Sequence, residues 1–134
     1  MPSNAPGFSL RHIPALYFAF AHISPLITSP LFGTAWTMAL YGLPQRIVDV
    51  PESWPAWEAG QGRTILLGLL MHSFYWRRQY AACDTILIGV AFLGLNDFWL
   101  LWKQEGGIGG IWAWTRLFFS AAFALTGWWG WTEG

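Results

Sequence analysis

Four ionisable side chains lie several residues deep in apolar stretches of this sequence: His22, Arg63, Asp97 and Arg116. A charge at the centre of a bilayer costs at least a few kcal/mol, so such residues face one another or a polar cavity. One carboxylate between two guanidiniums leaves a surplus positive charge. A substrate carbonyl or enolate, a lipid phosphate, or Glu58 from a neighbouring segment could meet it. With an imidazole at hand, the inventory suits proton transfer in an oily pocket. Arg63 and Arg116 would stabilise developing negative charge, Asp97 would orient them, and His22 would move the proton. Tyr41, Glu58, Asn96, Trp99 and Ser120 are the candidates for contacting a substrate. The plainer alternative is a buried Arg–Asp pair that only fixes helix packing.

The elements that carry these residues follow from composition. Of 134 residues, 54% are hydrophobic and only 10% charged, against roughly a quarter charged in a soluble domain. Eleven Trp and ten Phe add rings of the kind favoured at membrane interfaces. An integral membrane protein is expected. Formal net charge is zero, so no basic surface points to nucleic acid. A single cysteine, Cys83, excludes an intramolecular disulfide and any multi-cysteine metal site. His12, His22 and His72 lack the i, i+4 spacing of a helical metal site. With no Gly-rich phosphate loop and no G-x-S-x-G elbow, neither a metal nor a cofactor is expected.

A helix needs about 20 apolar residues to cross the hydrocarbon core. Four stretches serve, at about residues 13–28, 57–76, 81–102 and 108–131, the first short and kinked at Pro25. Trp76, Trp102 and Trp131 close three of them as interfacial anchors. The expected fold is all-α: one domain, a four-transmembrane-helix bundle with a long interfacial loop between helices 1 and 2. Within that loop, residues 30–56, a short helix over Leu31–Tyr41 is stopped by Gly42 and Pro44. Ser53 and Pro55 read as the start of the second span. No secretory signal is expected, because Pro14 and Pro25 interrupt the first stretch. Arg11, Arg77 and Arg78 on one side outnumber Arg46 and Lys103 on the other, which places both termini in the cytosol.

Depth can be counted from the turns. Asp97 and Arg116 are equally far from the Gly-rich turn at Gln104–Gly107. Arg63 and Asp97 differ by only about 5 Å across the Arg77–Arg78 turn, at 1.5 Å rise per residue. His22 reaches the same level from the first span. Small residues at Gly94, Ser120 and Gly127 would let helices approach or leave room for a ligand. His72 and Asp84 match in depth at the other end, but His72 is about 180° around its helix from Arg63. It reads as a packed histidine, Asp84 as a cap or a partner for Arg77 or Arg78, and Lys103 as snorkelling.

The runs LYGLPQRI at 40–47, GRTILLG at 62–68, Asp84-Thr85, and GLNDFWLLWK at 94–103 follow in that order. In them the chain resembles the small four-helix membrane proteins grouped as domain of unknown function 4267, especially their fungal branch, over roughly Leu40 to Trp131. Asp97 and Trp102-Lys103 match the family's third span. Thr64 departs from it, since an acid often follows the Arg that opens the second span. The resemblance implies architecture and no agreed activity. Fungal proteins of this kind accompany polyketide and terpenoid enzymes, which implies an apolar metabolite as ligand. The expectation is therefore an endoplasmic-reticulum protein assisting a redox-neutral isomerisation or cyclisation. A non-catalytic accessory subunit for a partner membrane enzyme is the alternative. Membrane lipid and further copies of the chain are the other expected contacts.

Overall fold

The structure, a computed structural model, describes residues 8–104 and 109–134. The Gly-rich turn beyond Gln104, with Ile108, lies outside them. Every element among the described residues is helical: α1 (Ile13–Ile23), α2 (Pro25–Phe32), α3 (Thr34–Tyr41), α4 (Gln45–Val48), α5 (Trp54–Trp76), α6 (Tyr80–Trp102) and α7 (Gly109–Trp128). Short 3-10 turns at Leu10–His12 and Pro51–Ser53 precede α1 and α5.

The first stretch is interrupted at Ser24, where the sequence places Pro25, although Ser24 keeps helical dihedrals. Proline has no N–H to give the Ala21 carbonyl, and the Ser24 hydroxyl donates to that oxygen instead, at 2.7 Å. The helix resumes and runs through Pro30 to Phe32, four residues past the expected end. The expected loop is thus largely a string of short helices. α3 ends as anticipated at Gly42, whose φ of +104° is costly for any other residue. The Leu43 N–H reaches back to the Met38 carbonyl (3.2 Å), the 6→1 bond of a Schellman stop. Ser53 precedes α5 as expected but does not cap it. Its hydroxyl donates backward to the carbonyls of Val50 (2.8 Å) and Ile47 (3.1 Å).

Leu10–Phe32 and Tyr80–Trp102 are each 23 residues long and apolar enough to cross a membrane. Only 17% and 22% of those apolar windows is buried within the chain, so most of their side chains are left at least partly uncovered. A soluble core helix shows the opposite pattern. Trp76, Trp102 and Trp131 are exposed at helix ends. These features together point to membrane association.

The long helices pack as two antiparallel pairs, α1 along α5 and α6 along α7. Glycine sets each pair. A Cβ on Gly68 of α5 would stand 2.7 Å from Ile23 Cγ2 and 3.0 Å from the Ala19 carbonyl. One on Gly94 of α6 would overlap the Ser120 side chain of α7, and one on Gly127 would lie 2.9 Å from Leu87 Cβ. Close backbone approach through small residues is the usual way apolar helices associate. Between the pairs, α5 and α6 meet near their own turn, where Tyr75 contacts Tyr80 and Cys83 lies against the Met71 carbonyl. There His12 Nδ1 is 2.9 Å from the Tyr75 hydroxyl, and its ring stacks on Tyr80.

Asp84 closes the other pair. Its buried carboxylate accepts the backbone N–H groups of Thr132 and Glu133, both at 3.0 Å, and clasps the segment after α7 onto α6. It serves as a clasp for that segment rather than a partner for Arg77 or Arg78. His72 faces α1 instead, edge-on to Phe20 at 5.0 Å, so the two are not brought together.

The packing at Gly94 is open to test. Gly94→Ala should lower stability by about 1–3 kcal/mol through overpacking, read as a fall in melting temperature in detergent. Adding Ser120→Gly should restore most of the loss. No rescue would mean that the two residues do not set the helix spacing.

Candidate functional site

The register of α6 against α7 brings two of the stranded charges together. With Gly94 opposite Ser120 and Gly127 opposite Leu87, Asp97 falls across from Arg116 to within one residue. Both are partly buried, and each lies within the other's field. A tyrosine joins them. The Arg116 guanidinium sits over the Tyr41 ring, its Cζ 4.5 Å from the centroid, a cation–π contact. The Tyr41 hydroxyl is directed as donor toward the Asp97 carboxyl group.

Tyr41 is held there from two sides. Gly42 after it lies so close to α7 that a Cβ would stand 3.1 Å from Trp112 Cβ. Trp57 of α5 packs edge-on against the Tyr41 ring at 5.0 Å. The Trp57 indole N–H donates to the Thr37 hydroxyl at 3.0 Å, which ties α3 to α5. Trp57 and Trp112 were not singled out from sequence; among eleven tryptophans, no local signal distinguishes them.

His22 completes the level from α1 and lies within the field of Arg116. Its ring stacks on Phe18 (3.7 Å), and Nδ1 lies 2.9 Å from the Phe18 carbonyl oxygen. A carbonyl only accepts, so Nδ1 carries the hydrogen, and a neutral ring keeps its lone pair on Nε2. That is the tautomer of a general base. Arg116 provides the complementary group. Among the described residues its guanidinium makes no hydrogen bond, and its Nε is buried without a partner.

An apolar crevice of about 210 Å³ opens between the two helix pairs, lined by Phe18, Leu67, Val90 and Leu93 among others. His22 lies one turn above Phe18, and Asp97 one turn above Leu93, on the side of the short helices. Residues four apart share a helix face, so His22 and Asp97 stand one turn beyond lining residues of the crevice without lining it themselves. Arg63 stands one turn above Leu67 in the same direction.

The remaining candidates are placed differently. Arg63 is exposed, at the rim rather than in the cluster, and the expected Arg63–Asp97 pairing is not what the structure shows. The reason is that α5 pairs with α1 and meets α6 mainly near their turn. Equal depth does not secure contact. Glu58 is exposed and accepts the Thr34 hydroxyl (2.6 Å), which fastens α3 to α5 and leaves the surplus charge unanswered. Asn96 is exposed, about 100° around the helix from Asp97. Trp99 is exposed too, with the Lys103 ammonium over its ring at 4.4 Å. Ser120 is buried against Gly94, its hydroxyl donating to the Leu117 carbonyl at 3.0 Å. Helix contact fills the space a ligand would need there. No group of three or more metal-ligating side chains occurs among the described residues.

Burial first, then the Asp97 charge and its hydrogen bond, push the Tyr41 phenol well above its ordinary value of 10.0. Tyr41→Phe keeps the ring but removes the donor, and should cost about 1–2 kcal/mol near neutral pH, measured by melting in detergent. The folded state holds this proton more tightly than the unfolded state does. The contribution is therefore complete below pH about 10 and is lost as pH rises further. The wild-type margin over Tyr41→Phe should shrink in alkali. A margin that stays constant would contradict the assignment.

No curated protein and no solved structure matches this chain. The family model described as "Domain of unknown function (DUF4267)" matches residues 28–130, which includes α3, α5, α6 and the Tyr41, Asp97 and Arg116 cluster. With more than half its length matched, the chain belongs to the DUF4267 family.

Proposed function

We propose that this protein crosses a bilayer with four helices, holds an apolar metabolite between its two helix pairs, and assists a redox-neutral isomerisation or cyclisation. The observation that carries this reading is Arg116: a partly buried guanidinium without a hydrogen-bond partner, in the field of Asp97, which stands one turn beyond the crevice residue Leu93. The oily body of the ligand lies in the crevice, and an electron-rich oxygen meets Arg116. His22 Nε2 takes a proton from the carbon beside that carbonyl. The electron pair moves onto the oxygen beneath the guanidinium. The same proton returns at another carbon, or the enolate carbon adds to a second carbonyl carbon of the substrate, whose C=O π pair moves onto its oxygen and takes that proton from His22, so a ring closes and no electrons leave the substrate. Tyr41 and Asp97 hold Arg116 in place. Arg63 at the rim is a second cation for a larger ligand.

The lysine and arginine count supports cytosolic termini. The endoplasmic reticulum and a role beside polyketide or terpenoid enzymes rest on family resemblance alone. A second reading has its own support: Tyr41 already engages both Asp97 and Arg116, so the cluster could serve only to bolt α3 onto α6 and α7. The protein would then be an accessory subunit for a membrane enzyme.

Solvent extracts of purified wild type, Arg116→Gln and Asp97→Asn, analysed by mass spectrometry, separate these readings. The wild type should carry an apolar carbonyl compound, retained about tenfold less by Arg116→Gln, as expected for a lost charged hydrogen bond. In the producing cells that compound should accumulate when Asp97→Asn replaces the wild type. Variants that fold and leave both extracts and cells unchanged would exclude catalysis and support the accessory role.

A further inference from the structure

A second groove, about 400 Å³, lies between α1 and α7, separated from the crevice by the ring contact of Phe18 with Phe123 at 6.0 Å. Ile13 and Tyr17 form one wall and Phe119, Ala122, Phe123 and Thr126 the other. Tyr17 stacks on Phe123 across it at 5.9 Å. It has the apolar lining and the length of a chain site, but not the neighbouring polar level that makes the crevice a candidate for chemistry. Its polarity is concentrated at one end. Arg11, one turn before Pro14 and exposed, projects from the α1 side toward the segment that follows α7. A Cβ on Gly134 would stand 3.6 Å from Arg11 Nη1, so the guanidinium reaches the segment after α7, at the end of the bundle where Ile13 and Pro14 line the groove.

Arginines outnumber the described acids at that end. Arg77 and Arg78 are exposed at the same end of the bundle, next to the His12–Tyr75–Tyr80 cluster. Of the acids described at this end, Asp84 has both oxygens taken by backbone N–H groups, and Glu133 is exposed. A long apolar slot ending near an arginine fits one acyl chain beneath one phosphate. We propose that the α1–α7 groove is a binding site for an anionic phospholipid, with an acyl chain along Tyr17 and Phe119 and the headgroup phosphate on Arg11. Arg77 and Arg78 add attraction for the anionic leaflet. The site is separate from the Arg116 cluster and rests only on bilayer insertion, so it stands or falls independently of any catalysis.

Native mass spectrometry of the full chain tests it, with phosphatidylserine and phosphatidylcholine of identical acyl chains as probes. The wild type should retain phosphatidylserine preferentially. Arg11→Gln should cut that preference about fivefold, the effect expected of one cation near an anionic headgroup. Ala122→Trp, which fills the groove, should lower retention of both lipids and spare the preference. Ala122→Leu is the milder form should the tryptophan variant fail to fold. An unchanged preference in Arg11→Gln would overturn the headgroup assignment. Unchanged retention in both Ala122 variants would overturn the groove and leave only surface attraction.

Discussion

Two positions without a Cβ, Gly94 and Gly127, govern the geometry of the C-terminal pair. At each, α6 and α7 come close enough that any side chain would collide with Ser120 or Leu87. Contact at two points about two turns apart along each of α6 and α7 fixes both separation and register, as one contact could not. The register then decides which polar groups meet. A slip of one residue turns each side chain by about 100°. Asp97 would lose the field of Arg116, and Tyr41 would lose one of its two partners. The chemistry of the site is therefore set by small residues that have no chemistry of their own.

The polar level is economical with its partners. An arginine in an apolar setting usually demands a carboxylate at contact distance. Here an aromatic ring is interposed: Tyr41 offers its face to the cation and its hydroxyl to the acid. The arrangement offsets part of the burial cost while leaving the donors of Arg116 uncommitted. It also makes α3 part of the site rather than a cover over it. Thr37–Trp57 and Thr34–Glu58 hold that helix from the α5 side, and Gly42 seats it against Trp112 from the α7 side. The short helices thus bridge the two pairs at the level where the crevice opens.

Depth was legible in the sequence, and direction was not. Helical rise is constant, so counting from a turn places Asp97 level with Arg116. His22 was matched in the same way. The same count matched Arg63 to Asp97 equally well, yet Arg63 stands exposed, because the α1–α5 pairing depends on Gly68 meeting Ala19 and Ile23. Nothing local marks Gly68 as different from the exposed Gly60 or Gly62. Ser120 was recognised as a small residue facing α6, but approach and vacancy look alike in a sequence. The short helices were half visible: Gly42 and Pro44 announce the end of α3, whereas the run of α2 through Pro30 goes against proline's usual effect. Tyr41 is among the expected substrate contacts, though its position between acid and base depends on packing by Trp57, which no spacing reveals.

The pairing of helices has a bearing on the order in which this chain can assemble. α6 and α7 adjoin in sequence, so their contacts are local and cost little loop entropy to close. The contact surface of α1 lies instead on α5, across the whole series of short helices. During synthesis from the N-terminus, α1 has no partner until Gly68 has been made, and its apolar face waits uncovered through that interval. The C-terminal pair can close as soon as it exists. The N-terminal half is then the part of the chain most dependent on its surroundings at birth, be they lipid, a chaperone or another subunit.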